Sequence, residues 1–236
     1  EIYTLSLHDA LPIYFLSEAV VDTYIQCDIV VTNPPFSLFR QFLELLDKLD
    51  KKFIIWGTNN CICYKQVSSM LVKDRIRLGY IANKTCEFEV PWEYANDPKS
   101  KAYTRDNRTY TKVASIVTFT NLSVSRSSCL DLTVQYNPSI HQKYVNFDAI
   151  NCNKTADIPI DYNGYIGVPI TYLTKHDPSK FKIVGVFNNY DELDFDLGRI
   201  TGDLVNLDKA PWKTRGPCLA PNKPTYVRII LKKVDD

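Results

Sequence analysis

A short apolar run, Asp28-Ile-Val-Val-Thr32, ends in the tetrapeptide Asn33-Pro34-Pro35-Phe36. Two consecutive prolines remove two backbone donors and hold two φ angles near about −65°, so the turn is stiff. Pro34 also drives Asn33 out of the α region. The outcome is a rigid platform presenting one amide side chain and one aromatic ring at the carboxyl end of a strand. The Asn33 side-chain oxygen and the Pro34 carbonyl are two acceptors, enough for both hydrogens of an exocyclic amine. The Phe36 ring can stack on a heterocycle, a contact worth about 1–3 kcal/mol per base. Such a platform suits a flat, amino-bearing ring such as a flipped adenine. The structural alternative is a plain strand-to-helix turn that Asn33 merely serves.

The residues after the turn set the fold class. Ser37–Lys48, with Leu49 just beyond it, carries Leu38, Phe39, Phe42, Leu45, Leu46 and Leu49 on one side and Arg40, Glu44, Asp47 and Lys48 on the other, the pattern of an amphipathic helix. Phe53-Ile-Ile-Trp56, closed by Gly57, is a continuous apolar run of the kind expected of a strand covered on both faces. Strand, helix and strand at this spacing make a βαβ unit with parallel strands. Ligands of open α/β sheets bind beyond the carboxyl ends of the strands, which is where Asn33–Phe36 falls. A second helix is expected over Tyr64–Lys73 and another strand over Ile76–Ile81. Cys86–Val90 and Ala114–Thr120 alternate like antiparallel strands. The second half is rich in Pro, Asn and Tyr, with short strands expected at Ile166–Tyr172, Phe181–Phe187 and Tyr226–Lys232.

Composition narrows the partners. The chain of 236 residues is 45% apolar and carries 28 basic against 27 acidic residues, for a net charge of +1. A polyanion would therefore be met by a local surface, not by the global field. No apolar stretch is long enough to cross a bilayer. The 7 cysteines are odd in number and form no Cys-x2-Cys pair, which reads as reduced thiols in a cytosolic protein. Cys61-Ile-Cys63 lies on a strand-like stretch whose alternate residues point apart, so it reads as structural and no metal is expected. His141 and His176 sit in polar, Pro-flanked segments and read as solvated; His8 falls within the first thirteen residues, a leader of different character.

Asn59 and Asn60 follow Gly57 at the end of the second strand, where they either contact substrate or satisfy turn backbone. Two stretches combine basic and aromatic residues, a pattern suited to phosphate contact plus stacking. Asn96–Lys112 carries Lys99, Lys101, Arg105, Arg108 and Lys112 with Tyr103 and Tyr110. Lys209–Arg215 carries Lys209, Lys213 and Arg215 around Trp212. A solvated charged loop is the alternative for each.

Asp28-Ile-Val-Val-Thr-Asn-Pro-Pro-Phe-Ser-Leu-Phe-Arg40 resembles the catalytic segment of EcoRI-type adenine-specific DNA methyltransferases. The likeness continues in the same order through Asp50–Ile55, Arg77–Tyr80, Tyr144–Ile150, Thr155–Gly164 and Gly167–Leu173. The resemblance implies methyl transfer from S-adenosyl-L-methionine to N6 of adenine in double-stranded DNA, with Asn33, Pro34, Pro35 and Phe36 as the catalytic motif. It implies a Rossmann-like methyltransferase sheet, a bacterial or phage cytoplasmic setting and a restriction–modification context. Rival readings are methylation of another planar amine, on an RNA base or a protein glutamine, and a catalytically inactive DNA-binding module.

The chain also departs from that family. Glu1–Ile13 reads as a non-native leader, a translated sequencing adapter, with native sequence expected from near Tyr14. Only Tyr14–Thr32 then precedes Asn33, less than the roughly 30 residues of one βαβ unit. The glycines at 57, 79, 164, 167, 185, 198, 202 and 216 form no Gly-x-Gly. The expectation is therefore a partial sheet lacking its first strands and its Gly-rich cofactor loop, with Asp28–Thr32 left as an edge. The expected division is a leader at 1–13, a partial catalytic domain at 14–122, and an α+β or β-rich DNA-recognition region at 123–236.

Overall fold

The computed structural model describes residues 17–82, 85–96, 100–124, 130–144, 148–187, 218–219, 223–225 and 227–234. The described chain is mixed α/β and forms two compact units. One draws on the spans Glu1–Asn60 and Leu78–Thr120, the other on Cys61–Arg77 and Asn121–Asp236.

In the first unit, helix α1 (Glu18–Gln26) leads into strand β1 (Ile29–Thr32), helix α2 (Phe39–Lys48) and strand β2 (Lys52–Thr58). β1 and β2 are parallel, with Val30 opposite Phe53 and Thr32 opposite Ile55. The expected βαβ unit is therefore present. Helix α2 buries Phe39, Phe42, Leu43 and Leu46, each worth about 1.5–3 kcal/mol when removed from water. It does not start at Ser37: Phe36–Leu38 form a 3₁₀ turn, and α-helical geometry begins at Phe39. The helix ends in a left-handed residue, Asp50 (φ 50°). The Lys51 N–H reaches back to Leu46 O at 3.0 Å and the Asp50 N–H to Asp47 O at 3.1 Å. This is a Schellman stop built on Asp in place of Gly. The Lys51 ammonium in turn donates to Ile25 O (2.7 Å) and Cys27 O (3.2 Å), neutralising the carbonyl end of α1.

The run Phe53–Trp56 is not sealed on both faces. Phe53, Ile55 and Gly57 are buried, while Ile54, Trp56 and Thr58 are half-buried. The sheet order is β1-β2-β7-β3, with β3 at Arg77–Leu78 and β7 at Ile116–Thr120. β7 runs antiparallel to β2, placing Ile116 opposite Thr58. The strand expected over Ile76–Ile81 is short because pairing turns irregular at Gly79: Thr118 accepts from Gly79 N–H and donates to Ile81 O, each at 2.8 Å.

Between β3 and β7 the chain builds a separate sheet. Its strands are β4 (Cys86–Val90), β5 (Tyr103–Arg105) and β6 (Arg108–Val113), all antiparallel in the order β4-β6-β5. Asn96–Lys112 is thus mostly a hairpin and not a solvated loop. Asp106 (φ 51°) and Asn107 (φ 60°) form its two-residue turn; a pair of positive φ angles matches the right-handed twist of the flanking strands.

The second unit contains helix α3 (Lys65–Val72) and strands β8 (Ala149–Asn151), β9 (Tyr165–Pro169), β10 (Phe181–Phe187), β11 (Cys218–Leu219), β12 (Lys223–Pro224) and β13 (Arg228–Lys233). β10, β13, β9 and β8 form one sheet in that order; β11 pairs with β12. The strand expected to reach Tyr172 stops at Pro169, where a 3₁₀ segment (Ile170–Lys175) begins and buries Tyr172 and Leu173. Ile150, Ile166, Val168, Ile229, Ile230 and Leu231 are fully buried and form the centre of this unit.

His141 is not solvated: it is 1% exposed. Its Nδ1 accepts from Asn137 N–H (3.0 Å) and its Nε2 lies 2.8 Å from Asp157 O, so both ring nitrogens are used inside the fold. His176 is half-buried, with Nδ1 3.0 Å from the Tyr172 hydroxyl. Cys61-Ile-Cys63 lies in a 3₁₀ turn (Asn59–Cys63), not on a strand, and Cys61 is fully buried.

Candidate functional site

Because β1 and β2 run parallel, their carboxyl ends open on the same edge of the sheet. Asn33–Phe36 follows β1 there, and Asn59-Asn60 follows β2. Within the turn the four residues have different environments. Asn33 and Pro35 are exposed, Pro34 is buried, and Phe36 keeps 40% of its surface. Pro35 is extended (φ −54°, ψ 126°) and its carbonyl accepts from Leu38 N–H at 2.9 Å. That bond fixes the 3₁₀ turn carrying Phe36. The anchor is Phe39, fully buried, whose ring meets Phe119 edge-on at 5.3 Å between centroids. A stiff turn thus holds an amide and a ring outward, while its two ends are locked into the core.

The other candidates are carried on the three-stranded sheet. Register places Glu87, Glu89, Tyr103, Arg105, Arg108, Tyr110 and Lys112 on a single face. Arg105 bonds Glu87 at 2.7 Å and lies 4.6 Å above the Tyr110 ring, while Lys112 Nζ lies 5.2 Å from the Tyr103 ring centroid. The Tyr103 hydroxyl also donates to Glu87, and Arg108 meets Glu89 at 3.3 Å. The hydrogen bond from Tyr103, followed by that from Arg105, lowers the Glu87 pKa, and the same carboxylate raises those of Tyr103 and Arg105. Lys101 stands exposed just before β5. Lys99 and the stretch Lys209–Arg215, with Trp212, lie outside the described residues.

This sheet joins the edge that carries Asn33. β6 passes into β7 through Ala114-Ser115, and Ser115 (φ 67°) accepts from Asn59 N–H at 2.9 Å. The two carboxylates that brace the basic face were not singled out from the sequence. The alternation in Cys86-Glu-Phe-Glu-Val90 and the Asp106-Asn107 step between alternating runs were the signals that pointed to them.

Gly57, Gly79, Gly164 and Gly167 are each crowded by a neighbouring side chain. A Cβ at Gly57 would meet the Phe39 ring at 2.7 Å, at Gly79 the Thr118 hydroxyl at 2.5 Å, and at Gly164 and Gly167 the Tyr162 and Tyr144 side chains. These glycines make room for neighbouring side chains, not for a ligand. A cleft of about 540 Å³ in the second unit is lined by residues including Leu71, Lys73, His176, Phe181 and Lys182. No group of His, Cys, Asp and Glu able to hold a metal occurs among the described residues. No described helix is long and apolar enough to cross a membrane.

A mixed α/β chain with a stiff Asn-Pro-Pro-Phe turn at the carboxyl end of a parallel strand is consistent with a methyltransferase-like fold. The chain is a member of the EcoRI-type adenine-specific methyltransferase family, whose description, "Adenine-specific methyltransferase EcoRI", matches residues 12–234. It is 41% identical over 187 residues to the type II methyltransferase M.EcoRI of Escherichia coli, covering 78% of this chain and 57% of that protein. To M.MgeORF184P of Mycoplasma genitalium it is 34% identical over 225 residues, 93% of this chain and 68% of the relative. To M.MpnI of Mycoplasma pneumoniae it is 35% identical over 175 residues, 72% and 55% of the two. The chain thus spans little more than half of M.EcoRI and M.MpnI and about two thirds of M.MgeORF184P. No solved structure matches it.

Proposed function

We propose that this chain is the amine-holding and DNA-contacting part of a site-specific adenine-N6 DNA methyltransferase. The observation that carries the reading is the parallel β1–β2 pair with Asn33–Phe36 at its carboxyl edge and Phe36 partly exposed. An adenine swung out of the duplex presents a flat ring and one exocyclic amine. Phe36 stacks on the ring. The Asn33 side-chain oxygen and the Pro34 carbonyl accept the two amine hydrogens, which leaves the nitrogen lone pair free for in-line attack on a methyl group. Pro34 and Pro35 hold both acceptors in place, so little reorganisation is needed at the moment of reaction.

In this reading residues 14–122 form the catalytic portion, with the four-stranded sheet as part of a Rossmann-like methyltransferase sheet, and 123–236 serve DNA recognition. Arg105, Arg108, Lys101 and Tyr103 contact the sugar–phosphate backbone, with Glu87 and Glu89 setting the arginine geometry. S-adenosyl-L-methionine is the methyl donor of this class of enzyme.

The test is transfer of a labelled methyl group by a full-length family member carrying this turn, offered duplex DNA, RNA and protein in parallel. Label in N6 of DNA adenine is expected. Label in RNA or in a glutamine amide would replace the substrate. Binding of duplex DNA by the chain, with no transfer in any full-length member, would reduce it to an inactive DNA-binding module.

A further inference from the structure

Glu87 on β4 has a donor on each of its carboxylate oxygens. The Tyr103 hydroxyl donates to Oε2, and Arg105 Nη2 donates to Oε1 at 2.7 Å. Lys112 stands directly opposite Glu87 in the β4–β6 register, and its charge acts on the same carboxylate. Each cation is steadied by a ring. Arg105 lies 4.6 Å above Tyr110, and Lys112 Nζ lies 5.2 Å from the centre of Tyr103. The two tyrosines pair across β5 and β6 with 6.1 Å between their centroids. The cluster belongs to one sheet of one unit and is open to solvent, the Arg105 and Glu87 side chains keeping 53% and 30% of their surface. Glu89 has one such partner among the described residues, Arg108 at 3.3 Å.

A hydroxyl, a guanidinium and an ammonium gathered round one oxyanion form a larger donor set than a solvated carboxylate needs. The anion they hold is chemically exchangeable. A carboxylate and a phosphodiester both spread one negative charge over two equivalent oxygens, and both take a guanidinium in the same fork geometry. An exposed Arg–Glu pair is also weakly held, because water screens it. We propose, resting on the functional reading above, that the Tyr103 hydroxyl, Arg105 and Lys112 form a site for one DNA phosphate, which the Glu87 carboxylate occupies in the free chain. On binding, the phosphate takes over the donors and Glu87 turns into solvent. Glu87 thus keeps the donors converged and at the same time competes with the backbone they bind.

The experiment is binding of a fluorescent DNA duplex to this chain over a series of salt concentrations, with thermal melts of each protein. The forms are wild type, Glu87→Gln, Asp106→Asn, Arg105→Ala and the Glu87→Gln/Arg105→Ala double variant. Asp106→Asn removes the same charge at the hairpin tip, outside the site, where either residue accepts the positive φ. Glu87→Gln should bind roughly two- to five-fold more tightly than Asp106→Asn, the factor that an exposed ion pair represents. Its salt slope should steepen by about 0.9, the increment for one phosphate. The gain should vanish when the double variant is compared with Arg105→Ala alone. Binding by Glu87→Gln no tighter than by Asp106→Asn overturns the proposal and leaves the functional reading standing. So does weaker binding with a lowered melting temperature, which would make Glu87 a staple of the sheet. Failure of every form to bind duplex DNA sinks both.

Discussion

The ring of Phe39 occupies the space beside Gly57 so closely that a Cβ there would stand 2.7 Å from its Cε2. Phe39 is the first residue of α2, just after the turn that carries Phe36; Gly57 lies two residues before Asn59 on β2. Through this contact, the two strand ends forming the candidate site are held as one rigid edge. Gly57→Ala should therefore destabilise the chain by about 1–3 kcal/mol, because both Phe39 and Phe119 must shift to admit the methyl group. Urea unfolding of the two proteins measures it. An unchanged midpoint would show that the rings can yield.

The proposed amine acceptors are open to a direct kinetic test. In a full-length family member carrying this turn, replacing the residue at the Asn33 position by Ala should slow methyl transfer at least about 10²-fold, the usual loss for one preorganised hydrogen-bonding group. Phe36→Ala should weaken capture of the base, while Phe36→Tyr keeps the ring face and should be tolerated. Single-turnover transfer of tritiated methyl groups separates these effects. Near-normal rates from the Asn33 variant would remove the turn from the mechanism.

A buried polar knot holds the second unit. Asn151 accepts from the Tyr144 hydroxyl at 2.7 Å and from Arg228 Nε at 3.0 Å, and its amide donates to Asn153 at 3.0 Å. Asn151→Ala takes a partner from a buried phenol and a buried guanidinium at once. A loss of about 2–4 kcal/mol is expected, read by denaturant unfolding. A smaller loss would mean that water replaces the amide.

The fold should weaken in alkali. Burial, with the nearby Asp157 charge, pushes the Cys152 thiol from 9.0 up to about 12. Burial, with Cys27 adding to it, raises the Tyr24 phenol from 10.0 to about 12. Burial raises Tyr144 as well. In each case the folded pKa lies above the unfolded one, so the stabilisation is complete below the ordinary values and is lost as pH rises through the folded ones. Unfolding midpoints should be flat near neutrality and fall between about 9 and about 12. Tyr24→Phe should remove part of that slope. A flat profile throughout would contradict the burial of these groups.

The glycine packing predicts how the chain meets the methyl donor. With Gly57, Gly79, Gly164 and Gly167 each closed over by a side chain, S-adenosylmethionine titrated calorimetrically into this chain should give no saturable binding in the micromolar range. Micromolar binding would reveal a donor site built by other residues.

Local signals were enough for the edge that carries Asn33. The alternation of apolar run, amphipathic helix and apolar run over Asp28–Trp56 specifies a parallel βαβ unit, and two adjacent prolines specify a stiff turn wherever that unit ends. Asp106-Asn107 also carried its hairpin in plain sight, although the surrounding charge reads as a solvated loop until the turn is recognised. The remaining features depend on partners far away in sequence. Whether Arg105 faces open solvent or Glu87 depends on the register of β4 against β6. Whether His141 is wet or sealed depends on Asn137 and Asp157 closing around it. Spacing along a chain encodes which face a residue shares with its near neighbours. It says nothing of which distant group closes over that face, because that is settled only when long loops close and buried polar atoms must find, or go without, their partners.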